Sequence, residues 1–259
     1  GIKPLYYSLT NNQRGIVCSS EIKTLIETNI VEKSINLDAI SSYLSFRYPH
    51  GVGNFFSKIE KVQPGEVLVF NNGNIEKKKY WKIPLIQETK ESKEETLIDE
   101  LEDILNSVVK DHLESDVSIG SLLSGGLDSS LITTMMNKYQ KNFNTFSASF
   151  DNEGYDENEY AKKVSNKINS NHTNIVLNSK NYFEGLDKII DHKCLPLYIP
   201  HEVALFDLFK NIKSSNKVVI SGEGADEMFG GYGRVQGAGF DYKKIKYFDY
   251  LGKFLGKKN

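Results

Sequence analysis

The stretch SLLSGGLDSSL, Ser121–Leu131, constrains this chain more than any other. An apolar run ends in a Ser-Gly-Gly turn and passes directly into helix-forming residues. Gly125 and Gly126 carry no Cβ, so the backbone there can approach a phosphate closely. Ser124, Ser129 and Ser130 add hydroxyls. A helix beginning near Leu127 aims its first amides, and the positive end of its dipole, at the same spot. A pyrophosphate is then held by amides and hydroxyls rather than by lysine. Asp128 stands inside this anion site, which makes chemical sense if a Mg2+ bridges the carboxylate and the phosphates. The pattern is neither the lysine-bearing phosphate loop G-x-x-x-x-G-K-S/T nor G-x-G-x-x-G. The plainer alternative is a Gly-Gly turn followed by an aspartate that only caps a helix. The complete S-G-G-x-D-S-S pattern directly after an apolar strand argues against it.

A second segment, VVISGEGADEMFGGY from Val218 to Tyr232, repeats the design. An apolar strand ends at Ile220, a Ser-Gly-Glu-Gly turn follows, and a short acidic helix comes next. In an open parallel sheet, ligands bind beyond the carboxyl ends of the strands. Both loops lie at such ends, so they can face one ligand. Asp226 can offer a second carboxylate to the Mg2+ held by Asp128. Glu223 can act as an acid or base, or orient an attacking amine. Against this stands the reading that the acids merely satisfy the dipole of the short helix.

The surroundings of the two loops read as strand-then-helix from Val117 onward. The strands are VSIGSLLS, FNTFSASF, HTNIVL and KVVISG, with helices near 128–138, 157–169, 179–191 and 201–213. This alternation implies a doubly wound parallel sheet with helices on both faces, an α/β fold. A helix from about Glu95 to Leu113 precedes it, with Leu97, Leu101, Ile104, Leu105 and Val108 at helical spacing.

The first part of the chain has a different rhythm. PLYYSL and GIVCSS are strand-like, with TNNQRG as the turn between them. SEIKTLIET is amphipathic and is read with a serine cap; NLDAISSYLSF is capped by Asn36. GEVLVFNNGNIEKKKYW is a hairpin turning at Asn72-Gly73. The polar, charged stretch KIPLIQETKESKEE is read as the linker. The expected division is therefore 1–82, a linker at 83–94, and 95–259. The basic, aromatic tail DYKKIKYFDYLGKFLGKKN reads as an amphipathic helix with a solvated lysine face.

Composition narrows the functional classes. Thirty-two Lys and Arg against 34 Asp and Glu give a formal net charge of -2. A general basic field for gripping nucleic acid is thereby excluded. No apolar run approaches the ~20 residues of a membrane helix, and GIKPLYYSLT lacks the layout of a signal peptide. The two cysteines, Cys18 and Cys194, are too few for a disulfide framework or a tetrahedral metal site. A cytoplasmic protein without nucleic-acid or membrane partners is expected. His172 and His192 read as surface or strand-end residues rather than ligands. KCLPLYIPHEVALF either lines an acceptor pocket or only positions the following helix.

SGGLDSS, followed later by SGEGADEMFGGY, resembles the synthetase domain of glutamine-dependent asparagine synthetases. GIKPLYY, SSEIKTLIE and FFSKIEKVQPGEVLVFNNGNIEKKKYW resemble the last part of that family's glutaminase domain. The resemblance implies an adenine-nucleotide α-hydrolase-like (PP-loop) sheet preceded by the C-terminal part of an Ntn-type α+β glutaminase. It implies an amidoligase that converts aspartate to asparagine. ATP and Mg2+ serve the reaction, with a β-aspartyl-AMP intermediate and ammonia drawn from glutamine. Related enzymes act on other carboxylates, and no pocket residue here identifies aspartate.

Carried over by motif, Ser124, Gly125, Gly126, Leu127, Asp128, Ser129 and Ser130 would bind pyrophosphate, and Asp128 and Asp226 would bind Mg2+. Leu123, Ala148, Ser221 and Gly222 would contact the nucleoside, and Glu223 would sit beside the acyl-adenylate. Ala148 stands where the family usually has a bulkier residue. A homodimer is carried as a further expectation. Gly1 matches the family well inside its glutaminase domain, and only Glu227–Asn259 follow Asp226. The family's nucleophilic cysteine, glutamine-binding residues and catalytic lysine fall outside these limits. The chain is thus expected to be an internal piece that binds ATP and Mg2+ with little or no turnover by itself.

Overall fold

The structure, a computed structural model, describes residues 3–51, 53–84, 93–150, 158–233, 242–244 and 246–247. Most of the linker and of the basic tail read from the sequence lies outside the described residues. The chain forms two compact units. One comprises Gly1–Glu94 with Leu177–Lys210, the other Glu95–Val176 with Asn211–Asn259. The first unit takes in a segment that the sequence reading assigned to the second part.

In the first unit, strand β1 (Tyr6–Leu9) pairs antiparallel with β2 (Ile16–Ser19) and with β3 (Glu60–Lys61). Strands β4 (Glu66–Asn71) and β5 (Asn74–Lys79) form the expected hairpin, in register from Glu66↔Lys79 to Asn71↔Asn74. Its two turn residues take φ values of 49° at Asn72 and 88° at Gly73. Positive φ at both central positions is what a tight hairpin turn requires. Tyr7 is buried and donates to Glu60 at 2.7 Å, and Lys77 donates to the same oxygen at 2.6 Å. One carboxylate thus ties β1, β3 and β5 together. Burial alone would raise the Glu60 pKa, but the hydrogen bonds from Lys77 and Tyr7 outweigh it and hold the carboxyl below its usual range.

Helices α1 (Ile22–Glu27) and α2 (Leu37–Phe46) flank this sheet. Asn36 caps α2 as expected, accepting from the amides of Asp38 and Ala39. The serine cap expected for α1 is a correction. Its N-cap is Glu21 and no side chain bonds there, because the nearby serine hydroxyl, Ser19 Oγ, accepts the Glu21 amide one step earlier. The core gathers Ile22, Leu25, Val31, Ala39, Phe55, Ile59 and Leu195. Leu195 comes from far along the chain, between two helices introduced below.

The second unit opens with α3 (Glu94–His112). The sequence marks Leu97, Leu101, Ile104, Leu105 and Val108 as one stripe. In the structure the buried contribution comes from Val109, with Leu105 partly buried, while Leu97, Leu101, Ile104 and Val108 remain exposed. The sheet runs β8 (Asn171–Leu177), β7 (Asn144–Phe150), β6 (Ile119–Leu122), β9 (Val218–Ile220). Strand β6 pairs parallel with β7 on one side and with β9 on the other. The α/β architecture read from the sequence is therefore present. Helices α4 (Leu127–Tyr139) and α5 (Asn158–Ile168) belong to this unit. Helices α6 (Ser179–Lys193) and α7 (Glu202–Ile212) lie between β8 and β9 in sequence. The second core joins Val109, Ile119, Met135, Met136, Phe143 and Ile168.

Two polar devices set the sheet. Asn216 is buried; its amide donates to the Ser118 carbonyl at 3.1 Å, and its oxygen accepts from Asn144 at 2.7 Å. It fixes the entry to β9 against β6 and β7. Between β7 and β8, His172 has Nδ1 3.0 Å from Thr145 Oγ1 and Nε2 3.2 Å from Ser147 Oγ. Ser147 also donates to Asn174, which donates to Ser149. Among the described residues no helix is long and apolar enough to cross a membrane.

Burial, and secondarily the charge of Lys162, holds the His172 pKa below its ordinary 6.5. A depressed folded pKa means the unfolded chain binds more protons once pH drops below that ordinary value. Stability is therefore full above about pH 6.5 and declines as pH falls below it. A His172→Gln variant should show a flatter thermal-melting profile between about pH 7 and pH 5 than the parent chain. Parallel profiles for the two would show that His172 does not carry the dependence.

Candidate nucleotide site

The parallel register of β6 and β9 places Ser121 opposite Ile220. The two glycine-rich loops follow directly from those residues, so they emerge side by side. Leu123 is wholly buried, and its amide donates to the Phe146 carbonyl at 2.7 Å. It anchors the first loop in the core. Ser124 Oγ accepts the Gly126 amide at 3.2 Å and lies 2.9 Å from Ser129 Oγ, which donates to the Gly126 carbonyl. With Ser124 donating to Ser129, these bonds close a ring around the turn. Gly125 has φ +94°, a conformation that residues with side chains rarely adopt. Behind the loop, buried Thr133 donates to the Ser129 carbonyl at 2.6 Å and lies 2.7 Å from Ser121 Oγ.

Helix α4 begins after Gly126, and no side chain caps it. Its first amides are thus left without an intrahelical or capping partner, as at any uncapped helix start. The hydroxyl of Ser130, in the same first turn, is buried and has no hydrogen-bond partner among the described residues. Leaving such a group unsatisfied costs about 1–3 kcal/mol. A ligand arriving with acceptor oxygens suits this donor set. Leu127 is largely exposed beside it.

The second loop presses onto the first. A Cβ on Gly222 would lie 2.9 Å from Ser129 N and 3.0 Å from the Asp128 carbonyl carbon, so only glycine seats there without displacement. Ser221 Oγ accepts the Glu223 amide at 3.3 Å. Helix α8 (Ala225–Phe229) starts at Gly224 with φ +93° and stops at Gly230, which is also left-handed. Asp226 lies on α8. Its carboxylate packs against Gly231, where a Cβ would fall 1.8 Å from Oδ1. The Gly230-Gly231 pair therefore ends the helix and makes room for Asp226. Tyr232 donates to Glu227 at 2.7 Å, which holds that carboxyl below its usual range.

Asp128, Ser221, Gly222 and Glu223 line one cavity of about 270 Å³, with Val108 and His112 of α3 on its wall. Asp226 and Ala148 are not among its lining residues, and Ala148 is exposed on β7. His112 was not singled out in the sequence; its Nδ1 lies 2.8 Å from the Val108 carbonyl. Only its place in the last turn of the helix before β6 could have drawn notice to it. Among the described residues no group of three or more His, Cys, Asp or Glu forms a metal cage.

Residues 100–254 match the model of the asparagine synthase family, and residues 1–81 match that of the glutamine amidotransferase domain. The chain belongs to the asparagine synthase family. It is 34% identical over 234 residues to asparagine synthetase (glutamine-hydrolyzing) 1 of Bacillus subtilis, covering 90% of this chain and 36% of that one. It is 27% identical over 250 residues to asparagine synthetase (glutamine-hydrolyzing) 3 of the same organism, covering 90% and 40%. The chain thus spans well under half the length of these curated relatives. Among solved structures, the glutamine-dependent NAD+ synthetase from Acinetobacter baumannii, in complex with ADP, superposes with a TM-score of 0.40. Its sequence identity is 13%, with 82% of this chain and 47% of that one covered.

Replacing Gly222 with alanine should force the two loops apart. Overpacking of this kind costs about 1–3 kcal/mol. The expected signature is a lower melting temperature with faster amide exchange at Asp128–Ser130, while exchange in β7 and β8 stays at the parent rate. Unchanged exchange at Asp128–Ser130 would mean that the loops do not depend on this contact.

Proposed function

We propose that the complete protein is an ATP-dependent amidoligase that converts aspartate to asparagine, with ammonia supplied from glutamine. The seat of Gly222 against Asp128 and Ser129 is the observation that most directly supports this reading, because it makes the two loops walls of one site. In this reading residues 1–82 are the end of the amidotransferase domain, 83–94 the linker and 95–259 most of the synthetase domain.

The triphosphate of ATP meets the uncapped start of α4, where Ser124, Gly125, Gly126, Leu127, Ser129 and Ser130 offer amides and hydroxyls. Ser221 and Gly222, which line the cavity, would face the nucleoside, and the family pattern adds contacts from Leu123 and Ala148. Asp128 and Asp226 would hold Mg2+. When bound, that ion offsets the negative charge of the phosphates and so eases nucleophilic approach to the α-phosphorus. The substrate carboxylate oxygen bonds to that phosphorus as the bond to the pyrophosphate oxygen breaks. This gives an acyl-adenylate and pyrophosphate. Ammonia then attacks the acyl carbon, AMP leaves with the bonding electrons, and Glu223 accepts a proton from the amine nitrogen. Fixed amides at α4 contribute because they need no reorganisation as charge moves onto the leaving pyrophosphate.

In the complete protein, Asp128→Ala should abolish aspartate-dependent pyrophosphate release while the melting temperature stays near that of the parent. Losing a ligand of the catalytic metal removes several kcal/mol of transition-state stabilisation. Near-normal turnover would remove Asp128 from the mechanism. ADP and orthophosphate as the only products would overturn the reaction type. Pyrophosphate release with another carboxylate but none with aspartate would reassign the acceptor.

A further inference from the structure

Strand β6 and helix α4 give the second core Ile119, Met135 and Met136, all buried and apolar. The same two elements also carry two buried hydroxyls. Ser121 on β6 and Thr133 on α4 are both 0% exposed. A buried hydroxyl adds little net stability when it is paired and is costly when it is not. Alanine and valine would fill the same places without that risk. Stability alone therefore does not account for the pair.

The protons of the two groups follow from counting. Thr133 Oγ1 lies 2.6 Å from the Ser129 carbonyl, a group that can only accept. The single Thr133 proton is committed there. Ser121 Oγ, 2.7 Å from Thr133 Oγ1, is then the donor of that second bond. The result is a directed chain from Ser121 to Thr133 to the Ser129 carbonyl. Each end reaches one nucleotide loop. Ser129 lies in the first turn of α4, and its hydroxyl closes the ring with Ser124 and Gly126. Ser121 is opposite Ile220, the last residue of β9, and its Oγ lies 3.4 Å from the Ile220 carbonyl. Ser121, Ser129, Thr133 and Ile220 all belong to one compact unit.

The place where this chain attaches matters. A threonine that bonds the carbonyl four residues earlier tilts that carbonyl and bends the helix, at a slight cost in helix stability. Here the carbonyl is in the turn whose amides no side chain caps. A bend in that turn sets the direction in which those amides point. Ser121 holds Thr133 from the strand side, so the bend is fixed relative to β6 and to β9 beside it.

We infer that Ser121 and Thr133 are positioning residues for the nucleotide: they touch no ligand, and they aim the first-turn amides of α4 at the phosphates. The inference rests on the reading of the two loops as an ATP site and adds a buried pair to it.

The test sets binding of magnesium-ATP, followed by titration calorimetry, against thermal melting, both in the complete protein. Thr133→Val removes one hydroxyl and strands the other, so the variant should melt lower and bind ATP more weakly. Adding Ser121→Ala removes the stranded group, and the melting temperature should return close to that of the parent. The ATP affinity of this double variant should stay about five- to tenfold below the parent's, the scale of one lost hydrogen bond. Thr133→Ser keeps the hydroxyl and should bind as the parent does. A merely structural pair would regain affinity together with melting temperature, so parent-like affinity in the double variant overturns the inference. Thr133→Ser binding as weakly as Thr133→Val overturns it too. If the double variant fails to fold, Thr133→Ala is read for affinity against the same expectation. Binding precedes chemistry, so a parent that binds ATP but releases no pyrophosphate fails the proposed reaction alone.

Discussion

Gly222 rests against the backbone of Asp128 and Ser129, and the geometry of the site follows from that contact. Three features create it. Asn216 fixes where β9 enters the sheet, the parallel register sets Ile220 beside Ser121, and the missing Cβ of Gly222 lets the loops close to contact. A shift of one residue in β9 would replace Gly222 with Ser221 or Glu223 at the contact, and either side chain would collide. Register and glycine placement are therefore one constraint. They explain why Asp128 and Glu223, far apart in sequence, line the same cavity.

The site is also arranged so that its donors are uneven in their commitments. Ser124 and Ser129 spend their hydroxyls on closing the first turn, and Thr133 braces the loop from behind. Those bonds give the loop its shape before any ligand arrives. The uncapped amides of α4 and the buried hydroxyl of Ser130 are left over. A preorganised loop with unspent donors suits the binding of a polyanion, because little ordering remains to oppose association.

Much of this was legible in the residues. Both loops, the hairpin at Asn72-Gly73, the Asn36 cap and the strand–helix alternation follow from local rules of glycine, capping and periodicity. The family follows from the paired motifs. What local rules could not supply was the destination of Leu195 and Tyr198. Their surroundings read as a proline-punctuated connection, yet their burial depends on partners near the start of the chain. The stripe on α3 misled for a similar reason: periodicity marks an apolar face but does not say what covers it, and Leu97 and Ile104 stay exposed. His112 was invisible because a lone histidine at a helix end has no pattern. Its place on the cavity wall comes from packing alone.

The interlocking of Leu195 with Ile22, Leu25 and Phe55 bears on how such chains diversify. By family match, residues 1–81 and 100–254 look like cassettes that recombination could shuffle. By packing they are not. A chimaera joined between residues 81 and 100 would inherit one parent's Ile22, Tyr43 and Phe55 and the other parent's Leu195 and Tyr198. Side chains never selected to fit would then meet in one hydrophobic interior. Successful exchanges in this lineage must therefore carry the α6–α7 excursion along with the first eighty or so residues, or be followed by compensating changes at both places.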